Sequence, residues 1–158
     1  MLVLVRALVY ASLFISFFLI FLPARILAWA GISAPTGIGV SQVVGALLAI
    51  ACVLVFALIG RGTPAPFDPP RRLVVRGPYR WIRNPMYVGA VVALAGAALF
   101  YRSWVLGGFT LAFWLATAAF VLFYEEPVLR RTFGPEYETY RSNVGRWWPR
   151  RIAQADAR

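Results

Sequence analysis

Two short stretches carry the side chains best able to do chemistry. One is Arg83-Asn84-Pro85-Met86-Tyr87, preceded by Gly77-Pro78-Tyr79, and the other is the adjacent pair Glu125-Glu126. The 158-residue chain has no His and no Lys, and its single cysteine, Cys52, sits in an apolar run. Cys/His metal sites and His-based proton shuttles are therefore ruled out. Any chemistry must come from Arg, Glu, Asp, Tyr, Ser, Thr, Asn and backbone. Adjacent acids directly after a long apolar run are costly near hydrocarbon. A cationic or amine-bearing ligand would account for them, while pairing with Arg130 one turn on is the plainer alternative. Asn84-Pro85 reads as a helix start, with Asn as N-cap and Pro at the first helical position. The unpaired N–H groups of such a start also suit a carboxylate or phosphate. If the group being modified is a protonated amine, Glu126 is the well-placed base.

These residues need elements to bring them together, and composition says which kind. Hydrophobic residues make up 61% of the chain and charged ones 14%, against roughly 45–50% and 25% in soluble domains. Four apolar segments stand out: residues 2–22, 40–59, 86–100 and 104–124, to be compared with the ~20 residues that cross a bilayer core. The expected architecture is all-α, a single membrane domain of about four transmembrane helices. Residues 1–60 supply two spans, 61–85 a cytoplasmic loop cap, 86–124 a transmembrane hairpin and 125–158 a short amphipathic C-terminal segment. Only Tyr101-Arg102-Ser103 separates the third and fourth segments, so the hairpin returns Glu125 to the level of Asn84–Tyr87. At about 22 Å, the third helix is short for the core and implies a recessed start. Arg6 and Ala28-Trp29-Ala30 also resemble parts of a signal peptide, but the first apolar run is longer than the usual 7–15 residues of such a leader, which favours a retained helix.

The net charge of +10 comes entirely from arginine on the basic side. Fourteen of the sixteen arginines fall on one side of the expected spans, leaving Arg25 and Arg102 on the other. By the positive-inside rule both termini and the site lie in the cytoplasm. No solvated basic domain is present, which argues against a nucleic-acid partner. The loop of residues 61–84 is rich in Gly and Pro yet carries Phe67, Leu73, Val74, Val75, Tyr79, Trp81 and Ile82, the mark of a folded cap and not of disorder. After the fourth segment Leu129, Phe133, Tyr137, Tyr140, Val144 and Trp147 recur at helical spacing, interrupted at Gly134-Pro135. That stripe reads as an amphipathic segment with Trp147 and Trp148 in the interfacial belt. A small transporter or channel subunit and a non-catalytic membrane scaffold are the other readings of this chain. The scarcity of polar residues in the last three apolar segments speaks against a translocation path.

The series Gly77 to Gly89, then Glu125-Glu126, then Phe133-Gly134-Pro135-Glu136-Tyr137 with Tyr140, Val144, Arg146 and Pro149, resembles the isoprenylcysteine carboxyl methyltransferases and the related phospholipid N-methyltransferases. The likeness covers residues 73–149, about half the chain. It implies an integral-membrane methyltransferase that uses S-adenosyl-L-methionine and acts on a lipid or lipophilic small molecule from the bilayer, by carboxyl O- or amine N-methylation. By the same resemblance Arg72, Leu73, Val74, Tyr79, Asn84, Pro85, Met86, Tyr87 and Glu125 fall at cofactor positions, with Glu125 holding the cofactor's amino group. Tyr87 would shape the reacting pocket. Asn84 stands where the family usually has His, so a titrating role there is lost. An Arg that engages the prenylcysteine substrate about one turn before the acids is replaced here by Phe120-Val121-Leu122-Phe123-Tyr124.

Overall fold

A computed structural model of the chain describes residues 2–32, 40–55 and 72–150. Residues 56–59 of the second apolar segment, residues 61–71 of the loop and the tail from 151 lie outside the described residues. Every regular element among the described residues is helical, in keeping with the all-α expectation.

The first apolar segment forms one rod made of α1 (Leu2–Phe14), a π-helical stretch Ile15–Phe21 and α2 (Leu22–Trp29). It runs past residue 22 because Pro23 bends the hydrogen-bond pattern without ending it. Proline has no N–H, and its ring crowds the carbonyl four residues back. Just before it the helix widens, and Leu22 N–H bonds to Phe17 O, five residues back. Next come α3 (Val40–Val55), a 3-10 turn at Gly77–Arg80, and α4 (Pro85–Phe100). The last rod begins with α5 (Trp104–Phe120), passes through a second π stretch at Val121–Glu125 and continues as α6 (Glu126–Phe133). Here too a proline, Pro127, follows directly, and Glu126 N–H reaches Val121 O. The fourth helix therefore does not stop at residue 124. Glu125 and Glu126 lie inside a rod and not at its C-terminus, so they escape the unfavourable dipole that an acid meets at a helix C-terminus.

Among the described residues, two helices are long and apolar enough to cross a membrane, Ser12–Trp29 and Trp104–Phe133. Each of α3 and α4 has 16 described residues, about 24 Å of rise. Many large apolar side chains face outward, among them Leu13, Ile20, Leu99, Leu115 and Phe123, as lipid contact requires and as a water-soluble surface avoids.

The pairing of α3 with α4 is built on absent side chains. A Cβ on Gly45 would lie 2.5 Å from the Gly89 carbonyl oxygen and 2.6 Å from Ala93 Cβ, so the two backbones are in van der Waals contact. Gly45→Val is expected to wedge these helices apart at a cost of about 3 kcal/mol, read as a lower unfolding midpoint in detergent. On the other side of α4, Phe14 and Phe18 of the first rod pack with Ala90, Leu94 and Phe113. Leu27 meets Ala97 and Leu106, with Tyr101 beside them. Arg25 and the hairpin turn with Arg102 thus share one end of the molecule. At that turn Arg102 adopts φ 49°, and Ser103 caps α5 by accepting from Leu106 N–H.

The opposite end is closed by the described part of the loop, residues 72–84. Val74 and Tyr79 are buried against Cys52 of α3, flanked by Leu48, Val55 and Met86. The last element, α7 (Pro135–Asn143), is separated from α6 by Gly134 at φ 51°, ψ −125°, a conformation that favours glycine.

Candidate active site

At the cap end, the start of α4 faces the second π stretch and α6. Asn84 is nearly buried, but its side chain does not cap α4 as expected. Its Nδ2 donates instead to the Arg146 carbonyl oxygen at 3.2 Å. Backbone pairing runs alongside, with Arg83 N–H on Gly145 O at 2.8 Å and a parallel bridge between Ile82 and Gly145. Gly145 suits this crossing because a Cβ there would collide with the Trp148 carbonyl oxygen.

At the third residue of α4, Tyr87 reaches across to the acids, and its hydroxyl donates to Glu125 Oε2 at 3.3 Å. Glu125 Oε1 accepts from none of the described residues. Glu126, 5% exposed, is fully engaged. Its Oε1 accepts from Arg83 Nη1 at 2.9 Å and from Arg146 Nε at 2.7 Å, and its Oε2 accepts from Arg146 Nη2 at 2.9 Å. The Arg146 contact is bidentate, the stronger geometry for a guanidinium and a carboxylate. The Glu126 bond also raises the Arg146 guanidinium pKa above its ordinary value. Arg130, the simpler partner expected for the acids, pairs with Glu138 instead at 3.2 Å. The adjacent acids thus have different surroundings, one neutralised by two arginines and one facing a phenol.

Tyrosines join α7 to this network. Arg83 Nη1 also donates to the Tyr137 hydroxyl at 3.2 Å, and the Tyr140 hydroxyl donates to the Tyr79 carbonyl at 2.7 Å. Burial is the leading cause that raises the pKa of Tyr79, Tyr137 and Tyr140, so all three stay protonated at neutral pH. Tyr137 and Tyr140 therefore tie the C-terminal stripe into the protein. Tyr140→Phe should cost about 1 kcal/mol and speed hydrogen exchange along α7 without altering α4.

The residues expected at the cofactor positions divide into two groups. Asn84, Tyr87 and Glu125 converge with Glu126 as the hairpin geometry predicted. Val74, Tyr79 and Met86 pack together in the apolar wall against Cys52 of α3, and Pro85 is fully buried. Leu73 is half-buried next to that wall, and Arg72 is exposed. The pairing of Arg83 and Arg146 with Glu126, and the part played by Tyr137 and Tyr140, were not legible beforehand. The demand for a cation beside the buried acid was a signal, but sixteen arginines offered too many answers.

A family model described as phospholipid methyltransferase matches residues 40–136. No curated protein matches the chain significantly. The matched stretch contains α3, the loop cap, both halves of the hairpin and both acids.

Proposed function

Because the chain belongs to the phospholipid methyltransferase family, membrane enzymes that methylate lipid-like substrates, we propose that it uses S-adenosyl-L-methionine to methylate a lipid or lipophilic small molecule. The observation that carries this reading is the contact between Tyr87 and Glu125, with Glu126 held aside by Arg83 and Arg146.

The donor chemistry fits the cofactor. Glu125 offers a carboxylate oxygen that no described residue occupies, which suits an ammonium group, while Tyr87 holds the other oxygen and orients the carboxylate. Asn84 and Pro85 are buried, and Val74 and Tyr79 pack with Met86; surroundings of low polarity favour a reaction in which charge is neutralised. Held there by Glu125 and Tyr87, the cofactor would supply an activated methyl group for the acceptor.

Glu126 is assigned first to positioning. Between them, its two oxygens already accept from two guanidiniums. A carboxylate substrate would need no base. With an amine substrate, Glu126 would serve as base only by releasing one guanidinium bond, and carboxyl O- and amine N-methylation both remain compatible with the site. The arginine asymmetry supports a multi-pass protein whose site and termini are cytoplasmic, and Arg25 and Arg102 at the far end agree with that orientation.

Calorimetry on the detergent-purified protein tests the reading. Saturable binding of S-adenosylhomocysteine is expected, and its absence in folded protein would overturn it. Incubation with radiolabelled cofactor and total membrane lipid then identifies the acceptor by chromatography, whereas cofactor-independent solute flux in liposomes would favour a transporter.

A further inference from the structure

Beside α7 lies a cavity of about 510 Å³, within the size range of small-molecule sites. Arg83, Arg141, Arg146 and Arg150 line it together with Glu138 and Ser142. Its charge is unbalanced. Glu138 offsets one of the four guanidiniums and the buried Glu126 another, which leaves a surplus of two positive charges.

Arg83 adds a second, independent observation. Its side chain is only 9% exposed, yet its Nε has no hydrogen-bond partner. A buried donor without an acceptor is costly, so the Arg83 guanidinium, which lines the cavity, gains by turning toward an acceptor that enters it. The lining is polar apart from Val144 and Gly145, so an acyl chain does not fit here. A compact dianion does, because guanidinium forks match phosphate oxygens in pairs.

We propose that this arginine-lined cavity binds a phosphate-type anion, at a site separate from the Tyr87–Glu125 pair and independent of methyl transfer. Arg141 and Arg150 are the residues to change, since both stand outside the Glu126 tie. Arg141 makes an exposed ion pair with Glu138, and Arg150 donates to the Ser142 carbonyl.

The probe is inorganic pyrophosphate, titrated calorimetrically into detergent-purified protein at constant ionic strength. Saturable binding is expected in the parent protein, with about tenfold or greater weakening in R141Q/R150Q. R141Q alone should show a smaller loss in the same direction. Binding of S-adenosylhomocysteine, measured in parallel, should be unchanged in these variants, which reports both their folding and the separateness of the two sites. Displacement of pyrophosphate by dihexanoyl phosphatidylglycerol would assign the phosphate to a lipid headgroup. Failure of that lipid to compete would assign it to a soluble phosphate compound, and either result supports the site. Absence of saturable pyrophosphate binding, full-strength binding in R141Q/R150Q, or displacement by S-adenosylhomocysteine would overturn the proposal. Because the homocysteine titration stands alone, failure here leaves the methyltransferase reading intact.

Discussion

Glu126→Gln is expected to destabilise the protein by about 3–5 kcal/mol, the largest loss from a single isosteric change. The carboxylate is nearly buried and accepts three bonds from two guanidiniums. Glutamine keeps the shape but removes the charge, and its amide nitrogen cannot accept from either arginine. Arg83, itself nine-tenths buried, would then keep a charge with no counter-charge in contact, and such stranded ions dominate the cost of breaking a buried pair. The loss should appear as a fall of roughly 10 °C in the unfolding midpoint in detergent and as faster hydrogen exchange in α7 and around Gly145. Adding Arg83→Met should recover part of it, because the stranded charge goes too. A Glu126→Gln protein as stable as the parent would show that the two arginines do not hold the C-terminal segment.

Glu125→Gln should behave in the opposite way. The Tyr87 hydroxyl can donate to an amide oxygen as readily as to a carboxylate, so stability should change by less than about 1 kcal/mol. What disappears is the negative charge facing the proposed ammonium group. A charge-assisted hydrogen bond contributes about 1.5–3 kcal/mol, so S-adenosylhomocysteine should bind roughly 10- to 100-fold more weakly. The pair of variants separates the two roles. In folded protein, Glu125→Gln must weaken binding more than Glu126→Gln, and the reverse order would exchange the assignments.

Much of this arrangement could be read in the chain because it follows from periodicity and reach. A three-residue link between two apolar helices obliges Glu125 to return beside Tyr87, whatever the details of packing. Other features depended on contacts between distant residues. Asn84 is a good N-cap by type, yet its amide is drawn to the Arg146 carbonyl, because the backbone at Gly145–Arg146 runs alongside residues 82–83 and offers an acceptor. Residue 124 looked like the end of a helix because acids and a proline follow it. The π stretch removes the conflict locally, and the rod continues to Phe133. Arg146 sits twenty residues from its partner beyond a helix break at Gly134, and local spacing holds no record of such a contact. The same holds for Tyr140 and the Tyr79 carbonyl, sixty-one residues apart.

Counted along the last rod, the π stretch at Val121–Glu125 acts as a one-residue insertion, and it sets α6 about 100° out of phase with a straight continuation of α5. The outward stripe of α5, with Trp104, Leu111 and Leu115, and the stripe of α6 that meets α7 are therefore two separate reading frames on one rod. The joint between them falls at the two acids. Membrane-facing residues of α5 can drift in sequence without rotating Glu126 away from Arg83, whereas adding or removing one residue within 121–125 would turn the whole C-terminal segment to a different face.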